Sequence, residues 1–185
     1  MKKYKICVYA ICKNEEKNIS GCIEAMLNSE FDEILIVDTG SEDRTKEIVL
    51  KYSLQYSNIV CCHYQWMDSF AQARNFGIDH AAYDWVFFLD ADERIIKTED
   101  TSIQSLISYY SSICGNTIAI APVIINSKAN KLYGNPRIFN RKMGYRYYGN
   151  VHEMLRGLEE KYDPVPFICL NIKVEHNGYI NNIIY

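Results

Sequence analysis

Four apolar runs, each followed by a segment with helical periodicity, constrain the fold of this chain more than any other feature. The runs cover residues 5–11, 33–38, 58–64 and 85–90, and they have the length and the β-branched or aromatic content of buried strands. They are almost continuously apolar, which is typical of parallel strands that are covered on both faces. This alternation predicts right-handed βαβ units and an α/β fold with a mostly parallel central sheet flanked by helices.

The segments between the runs carry helix signals. After the first run, apolar residues recur at positions 19, 22, 23, 26 and 27, which share one face of a helix. The second helix is expected to be capped by Ser41 or Asp43, and the third by Asp68 or Ser69, because short polar side chains accept from free amides at helix N-termini. A fourth helix is expected over residues 103–110.

Beyond residue 127 the sequence changes in character. Residues 131–153 are rich in Gly, Tyr and Arg and show little helical periodicity, so loops and short antiparallel strands are expected there. Residues 117–126 and 167–176 have the pattern of two further strands. There is no internal repeat, low-complexity tract or long linker, so a single domain spanning residues 1–185 is predicted.

The composition is that of an ordinary globular protein, with 48% hydrophobic and 23% charged residues. A net charge of −3 gives no basic surface for nucleic acid, so no nucleic-acid partner is expected. No apolar run has the length of a signal peptide or a transmembrane segment. The seven cysteines include no Cys-x-x-Cys pair, which favours a reduced, cytoplasmic protein.

The carboxyl ends of the four predicted strands are polar and mostly acidic. They read CKNEE (12–16), DTGSEDR (38–44), WMD (66–68) and DADER (90–94). Open parallel sheets bind ligands outside the carboxyl ends of their strands. The clustering of charge at these ends therefore predicts a ligand site along this edge of the sheet.

Asp90 and Asp92 suggest what the ligand contains. On an extended chain residues i and i+2 point the same way, so both carboxylates can face one place, with only Ala91 between them. A hard divalent cation relieves their repulsion and keeps coordination positions free for a diphosphate. The alternative is that Asp90 ends a strand and Asp92 caps a helix. No glycine-rich dinucleotide or P-loop motif occurs, so the metal is expected to hold the phosphates.

Three stretches of this chain resemble the family 2 glycosyltransferases. They are CVYAICKNEEKNISGCIEAML (7–27), DEILIVDTGSEDRTKEI (32–48) and DSFAQARNFGIDHAAYDWVFFLDADE (68–93), with weaker similarity at NPRIFNR, NVHE and EHNGY. Members of that family are inverting, nucleotide-sugar-dependent enzymes with the GT-A fold. The resemblance is specific because four strand ends agree in order and spacing.

The resemblance implies donor-binding roles for five residues. Ala10 and Glu15 would lie against the nucleoside, and Asp38 would accept a hydrogen bond from the uracil N3–H. Arg74 would stand near the nucleotide and Asp90 near the ribose. Alternatively, Asp38 simply caps the turn before Gly40, and Arg74 pairs with helix carboxylates.

Three further residues would supply the metal site and the base. Asp92 would bind the metal between the phosphates, His176 would be a second metal ligand, and Glu153 would be the catalytic base. Alternatively, Glu153 is a solvated surface residue, and His176 is a structural histidine at the end of a strand. A mixed imidazole and carboxylate site favours Mn²⁺ over Mg²⁺. Residues 1–97 would then form the nucleotide-sugar and metal-binding half, and residues 98–185 the acceptor-side half.

The resemblance thus implies an inverting, metal-dependent glycosyltransferase that uses a UDP-sugar. The acceptor, which can be a polysaccharide, a lipid or a protein side chain, is left open. Two alternatives stand beside this interpretation. One is a nucleotidyltransferase, although CKNEE is a poor substitute for its glycine-rich loop. The other is a non-catalytic module that binds nucleotide-sugars and needs no base at Glu153.

Overall fold

The structure, a computed structural model, describes residues 4–96, 102–126, 128–149, 153–157 and 164–176. The helices are α1 (Ile19–Leu27), α2 (Thr45–Gln55), α3 (Phe70–His80) and α4 (Ile103–Cys114). The strands are β1 (Ile6–Cys12), β2 (Glu33–Asp38), β3 (Ile59–His63), β4 (Trp85–Asp90), β5 (Glu93–Ile96), β6 (Ala119–Asn126), β7 (Lys131–Leu132), β8 (Ile138–Asn140), β9 (Arg146–Tyr148), β10 (Met154–Arg156) and β11 (Phe167–His176). Of the motifs above, residues 150–152 and 177–179 lie outside the described residues.

The main sheet has the strand order β3-β2-β1-β4-β8-β6-β11-β5, with β7 paired to β6. Strands β1 to β4 run parallel to one another, and β6 runs parallel to β11. The short strand β8 is antiparallel to both β4 and β6, while β9 and β10 form a separate antiparallel pair. The predicted α/β fold, with a mostly parallel sheet and short antiparallel strands after residue 127, is confirmed.

The order of the first four strands places a topological switch between β1 and β4. The chain proceeds outward from β1 through β2 to β3 and then returns to the opposite side of β1 as β4. Connections leave the carboxyl ends of β1 and β4 in opposite directions, which opens a crevice at such a point. The strands end there at Cys12 and Asp90.

The core lies on both faces of the central strands. Every residue of β1 and β2 is buried. Because side chains alternate along a strand, Val8 and Ala10 pack on the α1 side and Tyr9 on the α3 side. Four of the five predicted apolar positions of α1 are buried, namely Ile19, Cys22, Ile23 and Met26, and Leu27 at its end is partly buried.

Gly77 allows α3 to pack directly against the Tyr9 ring. A Cβ at this position would lie 2.6 Å from Cε2 of Tyr9, whose side chain is fully buried. We expect Gly77→Ala to lower the free energy of unfolding by about 1–3 kcal/mol, because overpacking outweighs the better helix propensity of Ala. Denaturant unfolding measures the change. Gln72→Ala, exposed on the same helix, should change stability by less than about 0.5 kcal/mol, and equal values would contradict the tight contact.

The predicted N-cap residue is correct for α3 and wrong for α2. Ser69 caps α3 by accepting from the Gln72 amide, as predicted. The prediction for α2 is wrong, because its N-cap is Arg44 and makes no side-chain cap bond. Asp43 instead accepts from the Thr45 amide at 3.0 Å, and the Ser41 hydroxyl accepts from the Asn14 amide at 3.0 Å. The second bond ties the loop after β1 to the loop after β2.

Strand β5 follows β4 after only two residues, and sequence analysis did not predict it. It pairs antiparallel with β11, so that His176 lies opposite Glu93. The alternative that Asp92 caps a helix is therefore wrong.

Among the residues that the structure describes, no helix combines the length and the apolar character needed to cross a membrane.

Candidate functional site

A cleft of about 230 Å³ opens at the switch point between β1 and β4. The end of β1 and the loop after it contribute Ile11, Cys12, Lys13 and Glu15, and the β4–β5 connection contributes Asp90, Ala91 and Asp92. Thr39, Trp66, Phe70 and His176 complete the lining. The cleft thus combines carboxylates, an imidazole, a lysine and two aromatic rings at the place where an open α/β sheet binds its ligands.

The three carboxylates of residues 90–93 take different directions. Asp90 and Asp92 both line the cleft, in agreement with their i, i+2 spacing. Glu93 is only 1% exposed, and its carboxylate accepts a hydrogen bond from the Asp90 amide at 2.9 Å. Two of the acidic groups are therefore available to a ligand, and the third belongs to the interior.

Asp92 and His176 are brought together by the pairing of β5 with β11. His176 Nε2 lies 3.1 Å from Asp92 Oδ2, and each side chain is 20% exposed. The hydrogen bond with Asp92 raises the pKa of His176. Burial alone would raise the pKa of Asp92, but its hydrogen bond with His176 and the charge of His176 outweigh burial and lower it.

This pair fits a divalent cation that also takes oxygen ligands from a substrate. Two ligands about 2.1 Å from an octahedral ion, at right angles to each other, lie about 3.0 Å apart. The 3.1 Å between His176 Nε2 and Asp92 Oδ2 is close to that spacing. The described parts of the chain hold no group of three or more His, Cys, Asp and Glu side chains arranged for a metal. Two protein ligands leave positions for diphosphate oxygens and water, as Mg²⁺ sites commonly do.

Arg74, on α3, joins Asp90 to Glu153. Its Nη1 donates to Glu153 Oε2 at 2.7 Å, and its Nη2 lies 3.4 Å from Asp90 Oδ1. The guanidinium is 4.5 Å from the centre of the Phe88 ring. Burial disfavours the charged guanidinium, but the charges of the surrounding groups, Asp90 first and Glu153 among them, together outweigh burial, so the pKa of Arg74 is raised. The structure therefore brings three predicted site residues together. The alternative that Arg74 pairs with helix carboxylates is wrong, because its partners are Asp90, at the end of β4, and Glu153.

Arg137 is a site residue that sequence analysis missed. It lies directly before β8 and is 6% exposed. Its Nη2 is 3.4 Å from Asp90 Oδ2, and its Nη1 makes a short ion pair with Glu93. In the sequence, the segment NPRIFNR carries only a weak family resemblance. An arginine beside a buried strand is a weak local signal, since its carboxylate partners are distant in the sequence.

Asp38 is buried at the end of β2, and its carboxylate organises the following turn. It accepts from the amides of Gly40 at 3.2 Å and Ser41 at 3.1 Å, and Lys46 Nζ lies 3.4 Å away. Burial alone would raise the pKa of Asp38, but the hydrogen bonds from Ser41 and Gly40 and the charge of Lys46 lower it. The alternative that Asp38 caps the turn before Gly40 is therefore confirmed. Its ionised carboxylate lies beside the cleft, where the next residue, Thr39, forms part of the wall.

Ala10 and Glu15 have different surroundings. Ala10 is fully buried between Ile36 of β2 and Leu89 of β4, and the cleft is lined instead by the residues that follow it in β1. Glu15 lines the cleft and accepts from the Asn18 side-chain amide at 2.8 Å. Burial raises the pKa of Glu15, and the nearby charge of Asp92 adds to the effect.

Comparison with known families gives one match that covers most of the chain. The sequence model described as glycosyl transferase family 2 matches residues 7–158. The SPbeta prophage-derived glycosyltransferase SunS of Bacillus subtilis (strain 168) is 28% identical over 172 residues. That alignment covers 91% of this chain but only 38% of SunS, so this chain corresponds to a minor part of that relative.

Solved structures share the fold. The S. aureus TarS fragment 1–349 in complex with UDP has a TM-score of 0.57 and 21% identity, over 72% of this chain and 38% of that one. GalNAc-T7 with UDP, GalNAc and Mn²⁺ has a TM-score of 0.55 and 20% identity, over 74% of this chain and 25% of that one. At these identities the likeness establishes the fold alone.

Proposed function

Because the chain belongs to glycosyl transferase family 2, we propose that it is an inverting glycosyltransferase that moves a sugar from a UDP-sugar to an acceptor nucleophile with a divalent cation. The observation that carries the proposal is the cleft at the switch point. Asp90, Asp92 and His176 converge in it, and Arg74 links it to Glu153. A nucleotide-sugar needs such a combination, with polar groups for the nucleoside, a cation for the diphosphate and a base beyond it.

Most of the assigned site residues would bind the nucleotide-sugar donor. Asp92 and His176 would hold Mn²⁺ or Mg²⁺, and Asp90 would accept from the ribose hydroxyls. When bound, the cation neutralises the charge that develops on the departing diphosphate. UDP in TarS, and UDP with Mn²⁺ in GalNAc-T7, support this assignment because both proteins share the fold.

The nucleoside would lie toward the end of β1 and the turn after β2. Glu15 lines that part of the cleft. Ala10 is fully buried and would not contact the nucleoside itself; it would only help to place the end of β1, whose residues Ile11 and Cys12 line the cleft. Asp38 would accept from the uracil N3–H, which its lowered pKa and the place of its neighbour Thr39 in the cleft wall support.

Glu153 would deprotonate the acceptor. Its side chain is 10% exposed, and Arg74 holds one carboxylate oxygen at 2.7 Å. Inversion requires the nucleophile to attack from the face opposite the leaving UDP, so the base must stand apart from the metal. This role is supported by the position of Glu153, which is connected to Asp90 only through Arg74 and is not part of the cleft lining.

A nucleotide-sugar panel tests the function. The protein is incubated with UDP-, GDP- and CDP-sugars in Mn²⁺, and release of the nucleoside diphosphate is measured with and without EDTA. We expect UDP release that depends on the cation. Pyrophosphate formed from UTP and a sugar phosphate would indicate a nucleotidyltransferase instead, and UDP-sugar binding without turnover would indicate a binding module. The cytoplasmic location stays a prediction and the acceptor class stays open, because this assay addresses neither.

Asp38 should make the site prefer uridine to cytidine. An ionised carboxylate only accepts hydrogen bonds, so it pairs with uracil N3–H but opposes the cytosine N3 lone pair. A buried mismatch of this kind costs about 1–3 kcal/mol, or roughly ten- to hundredfold in affinity. We therefore expect UDP with Mn²⁺ to raise the melting temperature clearly more than CDP does at the same concentration.

The matched variant for this measurement is Asp38→Asn. Its amide can present either a donor or an acceptor, so the difference between UDP and CDP should shrink. A ligand at a hundredfold excess over its dissociation constant adds about 2.7 kcal/mol of stability, which makes the shift easy to measure. Equal shifts from UDP and CDP in the wild-type protein would remove Asp38 as the residue that reads the base.

A further inference from the structure

A buried ion pair between Glu93 and Arg137 lies directly behind the cleft. Glu93 is 1% exposed and Arg137 is 6% exposed, so neither is available to a ligand of ordinary size. The pair nevertheless contacts Asp90 at two points. Glu93 accepts from the Asp90 amide at 2.9 Å, and Arg137 Nη2 lies 3.4 Å from Asp90 Oδ2. Glu93 thus binds the backbone of Asp90, and Arg137 binds its side chain.

The two oxygens of Asp90 are held by two different arginines. Arg74 Nη2 lies 3.4 Å from Oδ1, and Arg137 Nη2 lies 3.4 Å from Oδ2. Both guanidinium groups pack on the Phe88 ring, but Arg74 is paired with Glu153, whereas Arg137 is paired with the buried Glu93. Of the two arginines that contact Asp90, Arg137 is therefore the one whose other carboxylate partner, Glu93, is almost completely buried.

The cost of burying these charges indicates a role beyond stability. Removing two charges from water is expensive, and buried ion pairs can often be replaced by apolar residues of similar volume without loss of stability. Burial raises the pKa of Glu93, and the charge of Arg137 acts against that increase. An apolar pair would fill the same space, but it would hold neither the amide nor the carboxylate of Asp90.

We propose that Arg137, anchored by Glu93, is a positioning residue that orients the Asp90 carboxylate toward the ribose of the nucleotide. This inference rests on the proposed function, because it requires a nucleoside diphosphate in the cleft. Arg137 touches no part of the ligand and acts only through Asp90. Loss of this contact leaves the Asp90 carboxylate held by Arg74 at Oδ1 only, so its orientation is less fixed and the hydrogen bonds to the ribose hydroxyls are weakened.

Arg137→Lys is the variant that tests the proposal. It keeps a positive charge for Glu93, but a single ammonium group cannot reproduce the planar fork that reaches both Glu93 and Asp90. Calorimetry in Mn²⁺ compares UDP with its 2′,3′-dideoxy analogue, which lacks the ribose hydroxyls. We expect wild-type protein to bind UDP at least about tenfold more tightly than the analogue, and the variant to lose most of that preference. Loss of stability alone would leave the preference of the folded protein unchanged.

Arg141→Lys is the matched control. Arg141 follows β8, donates to the Ile78 carbonyl at 3.3 Å and lies outside the cleft lining, so its replacement should leave the preference for UDP intact. If Arg137→Lys does not fold, Glu93→Gln provides the second test, since its neutral amide weakens the anchor of Arg137 while keeping the shape. A preference for UDP that survives in the folded variant would overturn the positioning role. Wild-type protein that binds no UDP would instead overturn the proposed function, and this inference with it.

Discussion

Glu153→Gln should lower the rate of sugar transfer by about a hundredfold or more and leave UDP binding unchanged. An amide cannot take up the proton of the acceptor, so the nucleophile is no longer activated. Binding should persist because Glu153 is not part of the cleft lining and contacts Asp90 only through Arg74. The expected result is therefore a loss in turnover alone.

The choice of Gln over Ala follows from the contact with Arg74. The Gln side chain still offers an oxygen to Arg74 Nη1, which lies 2.7 Å from Glu153 Oε2 in the wild-type protein. Glu153→Ala would leave a buried guanidinium with one partner fewer and would mix loss of the base with loss of structure. The conservative change isolates the proton transfer.

Turnover is measured as UDP release from the preferred UDP-sugar, with water as the acceptor until a better one is found, and UDP affinity is measured by calorimetry. Glu47→Gln is the matched control, because it removes a carboxylate from an exposed ion pair with Arg44 at 3.3 Å. An exposed pair of this kind contributes little, so this variant should behave as wild type. Near wild-type turnover in Glu153→Gln would place the base elsewhere.

Asp92→Ala should abolish the metal-dependent part of UDP binding. It removes one of the two protein groups assigned to the cation, and the affinity for UDP in Mn²⁺ should fall by more than about a hundredfold, because loss of even an indirect metal contact costs ten- to hundredfold. The fold should persist, since the Asp92 side chain lies at a cleft surface with 20% exposure and its loss creates no core cavity.

Calorimetry with UDP in Mn²⁺, repeated in EDTA, measures this effect. Chelation should weaken UDP binding by the wild-type protein to the level of the variant, and should change the variant little. Asp79→Ala is the control, because Asp79 is exposed on α3 and pairs with Arg146 at 2.8 Å, away from the cleft. If Asp92→Ala bound UDP as tightly as wild type in Mn²⁺, the metal assignment would fail.

Local patterns in the sequence determined the secondary structure of the core and the edge at which the site lies. The apolar runs at residues 33–38 and 85–90 coincide with β2 and β4. Periodicity finds such elements because burial repeats with the geometry of the strand or helix itself. The i, i+2 spacing likewise placed Asp90 and Asp92 together, since it needs no knowledge of distant residues.

Tertiary structure alone decided which of the acidic residues at the end of β4 face a ligand. Glu93 is one residue from Asp92 in the sequence, yet it pairs with Arg137 inside the protein while Asp92 contacts His176 in the cleft. His176 is the last residue of β11, and Arg137 directly precedes β8. Both strands lie near the site only because of the strand order β4-β8-β6-β11-β5. Burying a charge is tolerated only where a partner is present. The inward turn of Glu93 therefore depends on Arg137, which no pattern within residues 85–96 can indicate.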